Sequence, residues 1–355
     1  MRILVTGGAG FIGSNLIKKL LLNKNNIIFN LDKLGYASST KSIDDLFEKN
    51  ESSSFGKYEF LKVDLENRFE TENALDHASP DLIMHLAAES HVDRSIDSPE
   101  KFITSNIIGT FNLLEASRKA LTKFDEDKKN NFRFHHISTD EVFGSLGKTG
   151  SFSEETPYDP RSPYSASKAS SDHLVRSWHH TFGLPIVLTN CSNNYGPWQF
   201  PEKLIPLTIY KAYRNESIPL YGDGENIRDW LYIDDHIEAL ILVATKGVIG
   251  QSYCIGGNGE KSNKEVVLHI CKIMDKILPS NAPHKKLITY VHDRPGHDRR
   301  YSINSSKIKC ELGWEAKNTF EEGLEKTVKW YLKNIKYFEI SHSKADYNFD
   351  RLGMK

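Results

Sequence analysis

The chain has 355 residues, 39% of them hydrophobic and 26% charged, with a formal net charge of −1. That length can bury a large core in one big domain or two modest ones, and a near-neutral balance excludes a general attraction to nucleic acid or to an anionic membrane. The four cysteines, Cys191, Cys254, Cys271 and Cys310, stand far apart with no CxxC, so neither a zinc site nor a disulfide framework is expected. With no apolar run near the ~20 residues that span a bilayer and no signal-like start, a cytoplasmic protein is predicted.

In chain order, the first half alternates apolar runs with helical patterns. Strands are predicted at 2–6, 27–31, 58–63, 81–87, 132–138 and 185–190, separated by patterns such as IGSNLIKKLLL and EKFITSNIIGTFNLLEASRKAL. Strands too apolar for a half-exposed sheet, alternating with helices, predict an α/β fold: a Rossmann-type, doubly wound parallel sheet covered on both faces. The polar stretch 35–57, with ESSS inside it, predicts a long loop around one short helix. After residue 190 the rhythm loosens into CSNNYGPWQFPEK, and helices predicted at 203–214, 234–246, 262–277 and 319–334 belong largely to a smaller mixed α/β lobe. The expected division is a sheet domain over 1–190 plus about 229–257, a second lobe over 191–228 and about 258–340, and a polar tail over 341–355.

VTGGAGFIGS joins the first strand to the first helix. Gly8, Gly10 and Gly13 hold the G-x-G-x-x-G spacing, and Gly7 adds a second register. A backbone without side chains can turn tightly and approach a pyrophosphate resting on the helix N-terminus. Plain structural turns also carry this spacing, but here it follows a strand, opens a helix and precedes Asp32 at the end of the second strand. A carboxylate there can accept the hydroxyls of an adenosine ribose and repel a 2′-phosphate, which predicts NAD over NADP. Lys33, its neighbour, works in the opposite direction.

In HHISTDEVFG, an apolar and aromatic lead-in stops at Ser138 and is followed by Thr139, Asp140 and Glu141. Open α/β folds place ligands at the carboxyl ends of their strands. Successive strand residues point to opposite faces, so both carboxyls can reach one ligand only if the chain leaves strand geometry near Thr139; Gly144 and Gly147 allow such a turn. A polar loop is the plain alternative. His135 and His136 face opposite ways in the same strand, without Cys or acid at ligand spacing, and read as sheet histidines; no metal is expected. SPYSASKASSDHL then sets Tyr164 and Lys168 one helical turn apart on one face, with Ser162 and Pro163 as start signals. An ammonium near a phenol favours the phenolate, and moving a tyrosine from about 10 toward 7 takes roughly 4 kcal/mol. Later, RDWLY and DRPGHDRRY bring Arg228, Arg294, His297, Arg299 and Arg300, whose arginine forks suit phosphate oxygens or a salt-bridged loop.

TGGAGFIG, HLAAESHVDRS, STDEV and YSASK resemble the extended short-chain dehydrogenase/reductase superfamily. Within it, STDEV, NCSNNYGP, FPEKLIP, RDWLY and DRPGHDRRY are similar to the dTDP-glucose 4,6-dehydratase family, over residues 1 to about 335. The resemblance implies bound NAD and a redox-neutral reaction on the nucleotide sugar dTDP-glucose, of the kind used in deoxysugar biosynthesis. Hydride leaves C4, water is lost across C5–C6, and hydride returns to C6. It implies Tyr164 with Lys168 at C4, Thr139 on the 4-oxygen, Glu141 as base at C5 and Asp140 as acid at C6. The dinucleotide contacts it implies are Gly7, Gly10, Phe11, Ile12, Gly13, Asp32, Lys33, Asp64, Leu65, Leu86, Ala87, Ala88, Ser105, Tyr164 and Lys168. The sugar-nucleotide contacts are Ser90, Thr139, Asn193, Lys203, Leu204, Pro219, Tyr221, Arg228, Asn263, Arg294 and His297. The sheet domain would hold NAD, the second lobe the nucleotide sugar, and two chains would form a homodimer through helices. Two positions depart from the family: Phe143 stands where a tyrosine is usual, and Gly35 where a threonine is common near the cofactor ribose. A nucleotide-sugar 4-epimerase shares the glycine turn, Tyr164 and Lys168 but needs no acid–base pair after the strand; another 4,6-dehydratase or a non-catalytic NAD-sensing scaffold are the remaining alternatives.

Overall fold

The computed structural model describes residues 1–48 and 54–344. In the predicted loop 35–57, a short helix spans Lys41–Glu48; residues 49–53, with most of ESSS, and 345–355 of the predicted tail lie outside the described residues.

In chain order the strands are β1 (Arg2–Thr6), β2 (Ile27–Asp32), β3 (Lys57–Lys62), β4 (Leu82–His85), β5 (Arg133–Thr139), β6 (Ile186–Cys191), β7 (Asn193–Tyr195), β8 (Ile218–Tyr221), β9 (Ile227–Tyr232), β10 (Ser252–Ile255), β11 (Glu260–Ser262) and β12 (Ile288–Val291). Seven form one sheet in the order β10-β6-β5-β4-β1-β2-β3, with every pair parallel. This is the doubly wound sheet expected from the sequence. The reason is visible along β1: Ile3 and Val5 enter one buried cluster while Leu4 enters another on the opposite face. A strand apolar at every position needs cover on both sides. Strand order reverses between β1 and β4, which opens a crevice at their carboxyl ends.

The helices fall close to their predicted positions. Phe11–Leu21 follows the glycine turn. The run Pro99–Lys123 is helical throughout but passes through a π-helical segment at Ile103–Ile108. Ser162 and Ser165 form a capping box at the start of the helix Pro163–Phe182, with Pro163 in the first turn, as the start signals require. The chain after β6 builds a three-stranded sheet, β11-β9-β7, and a two-stranded one, β12-β8. Helices Leu204–Tyr213, Asn263–Ile277 and Phe320–Lys333 pack around them, while the helix Ile233–Lys246 and β10 return to the large sheet.

Four of the buried histidines among the described residues lie in or beside the large sheet. His135 and His136 sit in β5, bonded to the side chains of Thr189 and Asp172, and His85 in β4 lies between the hydroxyls of Thr6 and Thr110. His236 has no partner on either ring nitrogen. Burial pushes His135 down to about 3, His136 to about 4 and His236 to about 3. These groups are therefore neutral in the fold but take up protons when unfolded, below about 6.5. Their contribution to stability is lost as pH falls from 6.5 toward 4, on the order of 3 kcal/mol for one such histidine. The urea unfolding midpoint should drop across that window. His236→Leu, which removes one titrating group without breaking a hydrogen bond, should flatten the drop; a profile as steep as that of the parent would show that other groups set it.

Candidate active site

At the carboxyl end of the sheet lies a cavity of about 320 Å³. Gly7, Gly10, Phe11, Ile12 and Gly13 form one wall at the start of the first helix, whose N-terminus has no side-chain cap. Its first N–H groups therefore face the cavity as free donors with the positive end of the helix dipole behind them. At Gly13, a Cβ would collide with the Gly7 carbonyl and lie 2.7 Å from Gly8 Cα, so only glycine allows the turn to close. Asp32 is buried at the end of β2 and accepts the N–H groups of Ala9 (3.1 Å) and Leu34 (2.7 Å). Burial raises its pKa, against those two bonds. Asp64, Leu65, Leu86, Ala87, Ala88 and Ser105 complete this side. Lys33 donates to Ser105 at 2.7 Å and stands within 4 Å of three carboxylates, Asp64 (3.8 Å), Glu66 (3.4 Å) and Glu89 (3.7 Å). The ammonium that the sequence sets against Asp32 is thus outnumbered by acids.

The chain leaves strand geometry at Thr139. That residue is still extended, but Asp140–Phe143 form a 3₁₀ turn whose first N–H groups are capped by Thr139 Oγ1, which accepts from Glu141 N at 3.3 Å. Gly144 ends the turn at φ +86°, where a Cβ would meet the Asp159 carbonyl at 2.5 Å; Gly147 has open space and no such demand. The turn brings Thr139, Asp140, Glu141, Tyr164 and Lys168 onto the same cavity. Asp140 is buried, with one carboxyl oxygen taking the Thr139 hydroxyl at 3.3 Å and the other without a partner. Burial, then the Glu141 carboxylate and Asp229, raise its pKa well above the usual range. Burial raises Glu141 as well, opposed by Arg294, Lys203 and Arg228.

The tyrosine departs from the sequence expectation. Burial first, and the Glu141 carboxylate second, push the Tyr164 phenol well above its usual value, while a hydrogen bond with Thr139 works downward. Lys168 does not offset this, because its ammonium donates to the Ile137 carbonyl at 3.0 Å and burial disfavours its own charge. The protein alone therefore holds Tyr164 as a phenol.

A second cavity, of about 140 Å³, opens beside the first. Glu141, Asn193 and Lys203 line both. Leu204, Tyr221, Arg228, Asn263, Arg294 and His297 line the second, and Ser90 the first; Pro219, in β8, lines neither. Arg228 is buried, donates to the Ile227 and Asp298 carbonyls at 2.7 and 2.9 Å, and stacks over the Tyr301 ring at 4.1 Å. Arg294 lies 3.5 Å from Asp93, and its Nε has no partner. His297 bonds Asp293 at 2.6 Å; burial and the two arginines hold it down to about 4, hence neutral. Arg300 instead forks onto Glu260 at 2.8 and 2.9 Å, and exposed Arg299 reaches Asp223 at 3.5 Å. Both serve as salt-bridged loop residues.

Sequence reasoning missed a cluster at the junction. Glu202, buried beside both cavities, accepts the Tyr36 hydroxyl at 2.7 Å and Arg94 Nε at 3.0 Å, and Arg94 stacks on Tyr36 at 3.7 Å. FPEK and HVDRS carry two of these residues, but nothing in either run shows that they meet. Phe143, in place of the family's tyrosine, stacks on Phe152 with ring centroids 5.2 Å apart, so no hydroxyl is needed there.

The family model described as GDP-mannose 4,6 dehydratase matches residues 4–327. A dTDP-glucose 4,6-dehydratase of Salmonella typhimurium is 52% identical over 346 residues, covering 95% of this chain and 94% of the relative. A dTDP-glucose 4,6-dehydratase of Bacillus anthracis, solved in complex with NAD, has a TM-score of 0.83 at 43% identity, covering 96% and 99% of the two chains. That of Streptomyces venezuelae, also solved with NAD bound, has a TM-score of 0.86 at 38% identity, covering 96% and 100%.

The glycines of the first wall offer a direct test. Overpacking of a closed site costs typically about 1–3 kcal/mol. Gly13→Ala should therefore lower the urea midpoint with an unchanged m-value, whereas Gly35→Ala, where a Cβ meets nothing within 4 Å, should leave it in place. Equal midpoints for the two variants would show that the turn relaxes around a methyl group.

Proposed function

The chain belongs to the dTDP-glucose 4,6-dehydratase family, and from that membership and the site we propose that it is an NAD-dependent hydro-lyase converting dTDP-glucose to dTDP-4-dehydro-6-deoxy-glucose. The observation that carries the reading is the place of Glu141. It lines the glycine-walled cavity and the arginine-lined one together, next to the buried carboxyl of Asp140. A 4-epimerase has no use for such a pair.

The first cavity suits NAD by its own chemistry. An uncapped helix N-terminus with a glycine wall receives a pyrophosphate, and Asp32, already holding two backbone N–H groups, has remaining lone pairs for ribose hydroxyls. The acids around Lys33 would repel a 2′-phosphate. When bound, NAD supplies the hydride acceptor for one sugar carbon and the hydride donor for another.

The chain's own residues do the rest. Tyr164, as the phenolate that a bound cationic nicotinamide would favour, receives the 4-hydroxyl proton, and Thr139 hydrogen-bonds the 4-oxygen. Glu141, its charge supported by Arg294, Lys203 and Arg228, takes the C5 proton made acidic by the new ketone. Asp140, kept protonated by burial and by Glu141, gives its proton to the departing 6-hydroxyl. An acid and a base at one centre require two neighbouring carboxyls held in different protonation states. Arg228 and Arg294 hold the diphosphate, with Asn193, Lys203 and Asn263 around the sugar nucleotide. The division into an NAD domain and a sugar-nucleotide lobe, a cytoplasmic location and a homodimer belong to the same proposal. The dimer is supported by the exposed Ile103, Ile108 and Phe182 on neighbouring helices. No helix among the described residues is long and apolar enough to cross a membrane.

Incubation with dTDP-glucose should give the 4-dehydro-6-deoxy product by mass and NMR, with no net NADH after many turnovers. Stoichiometric NADH release would identify a simple dehydrogenase, and a C4 epimer an epimerase. The carboxyl roles separate by isotope. Glu141→Gln should still let reduced cofactor accumulate but should not exchange the C5 hydrogen with solvent deuterium, while Asp140→Asn should keep exchange and slow water loss. Each change should lower turnover on the order of 10²–10⁴-fold; near-parental turnover in either variant would remove that carboxyl from the chemistry.

A further inference from the structure

The helix Pro163–Phe182 carries a third polar residue on the face of Tyr164 and Lys168. Asp172 lies one turn beyond Lys168 and is fully buried. Four donors surround it. His136 Nε2 lies 3.1 Å from Oδ1, while Ser138 Oγ (2.9 Å), Tyr158 Oη (2.8 Å) and Asn190 Nδ2 (3.3 Å) donate to Oδ2. A carboxylate only accepts, so His136 carries its hydrogen on Nε2; its Nδ1 has no partner. Burial would raise the Asp172 pKa, but the hydrogen bonds and the Lys168 charge hold it below the usual range. It is ionised.

That charge needs a partner, and His136, held down to about 4, is neutral. The groups facing Lys168 are Tyr164 and Asp172 from its own helix, His136 from β5, His85 from β4 and Cys191 from β6. Burial keeps the Cys191 thiol protonated, at about 12, and His85 neutral. Among the described carboxylates, Asp172 is the one whose charge favours the Lys168 ammonium. Arg176, one turn further, acts on Tyr158 and His136. Lys168 and Asp172 both meet β5 within three residues: the ammonium on the Ile137 carbonyl, the carboxylate on the side chains of His136 and Ser138. Asn190 ties the same carboxylate to the catalytic strand end, since it also donates to the Thr139 carbonyl at 3.1 Å.

We propose that Asp172 is a positioning residue of this active site, whose buried carboxylate is the counter-charge of Lys168 and ties the Tyr164–Lys168 helix to the strand ends that present Thr139. The role in turnover rests on the dehydratase reading; the charge pairing does not.

Asp172→Asn removes the charge at nearly constant size. The amide oxygen can keep the donors of Ser138, Tyr158 and Asn190, and His136 can turn to its other tautomer and accept from the amide. Losing that opposite charge lowers the Lys168 pKa. The ammonium is then lost at lower pH, so the alkaline limb of kcat should move to lower pH. Ser138→Ala and Tyr158→Phe each remove a hydrogen bond and keep the charge; they should lower the thermal midpoint and leave the limb where it is. A limb unmoved in Asp172→Asn would make the residue a structural tie only and overturn the proposal.

A stability cycle with Lys168→Met needs no turnover. Each single change leaves one buried charge alone, so the double variant should melt at least about 2 °C above Asp172→Asn, and should fold even where that single variant does not. Additive losses, or a double variant that fails to fold, would overturn the pairing. If the parent made no product while the cycle showed coupling, the dehydratase reading would fail and the pairing would stand.

Discussion

The site depends on one local interaction at the end of β5: Thr139 Oγ1 receives the Glu141 N–H at 3.3 Å and turns the strand into a 3₁₀ helix. Had the strand continued, Asp140 and Glu141 would point to opposite faces of the sheet. The turn is held from three sides. Asn190 in β6 grips the Thr139 carbonyl, the β5–β6 register sets Cys191 beside Thr139, and Gly144 lets the chain leave by a conformation closed to other residues. The parallel sheet delivers β5 to the crevice, but this turn makes two consecutive carboxyls converge.

Convergence alone would give two similar acids in mutual repulsion. Their surroundings make them different. At Asp140, burial, its neighbour and Asp229 favour the neutral form and outweigh Arg228 and the Thr139 hydrogen bond. Glu141 shares the burial but sees three cations, Arg294, Lys203 and Arg228, that favour its charge. A chain with a net charge of −1 thus supplies a cationic wall where Arg228, Arg294 and Lys203 meet the strand end. In the proposed reaction the same cations would serve an anionic ligand and the polarity of the acid–base pair.

What was legible in the sequence was local. The apolar runs of β1, β2, β5 and β6, the Ser162–Pro163 helix start and the glycine turn each depend on residues close in the chain, and all three appear where their patterns place them. The family motifs extended this to Arg228, Arg294, Asn193 and Lys203, which do come together around Glu141. Long-range pairings were not legible. Glu202 with Tyr36 and Arg94 joins three segments, and Lys33 meets its acids from the segments after β3 and after β4. The Lys168 ammonium rests on a backbone carbonyl of β5, which residue spacing on its own helix does not reveal. Asp172 looked like an ordinary helix residue because its four donors come from β5, β6 and a loop.

The proton count of the proposed cycle gives Thr139 a second significance. Tyr164 gains a proton from the 4-hydroxyl, and Asp140 loses one to the departing 6-hydroxyl. Glu141 gains its proton from C5 and returns it there. At the end of a turnover the phenol is therefore one proton rich and Asp140 one proton poor, and a single transfer between them restores the start. Burial and the Glu141 carboxylate disfavour both the phenolate and the Asp140 carboxylate, so the transfer exchanges one disfavoured anion for the other. The Thr139 hydroxyl touches both groups, donating to Asp140 at 3.3 Å and hydrogen-bonded to the Tyr164 phenol. A hydroxyl can accept from one partner while donating to the other, which an aliphatic side chain of the same size cannot do. The residue that turns the strand is also the one polar contact shared by the two groups that must be reset.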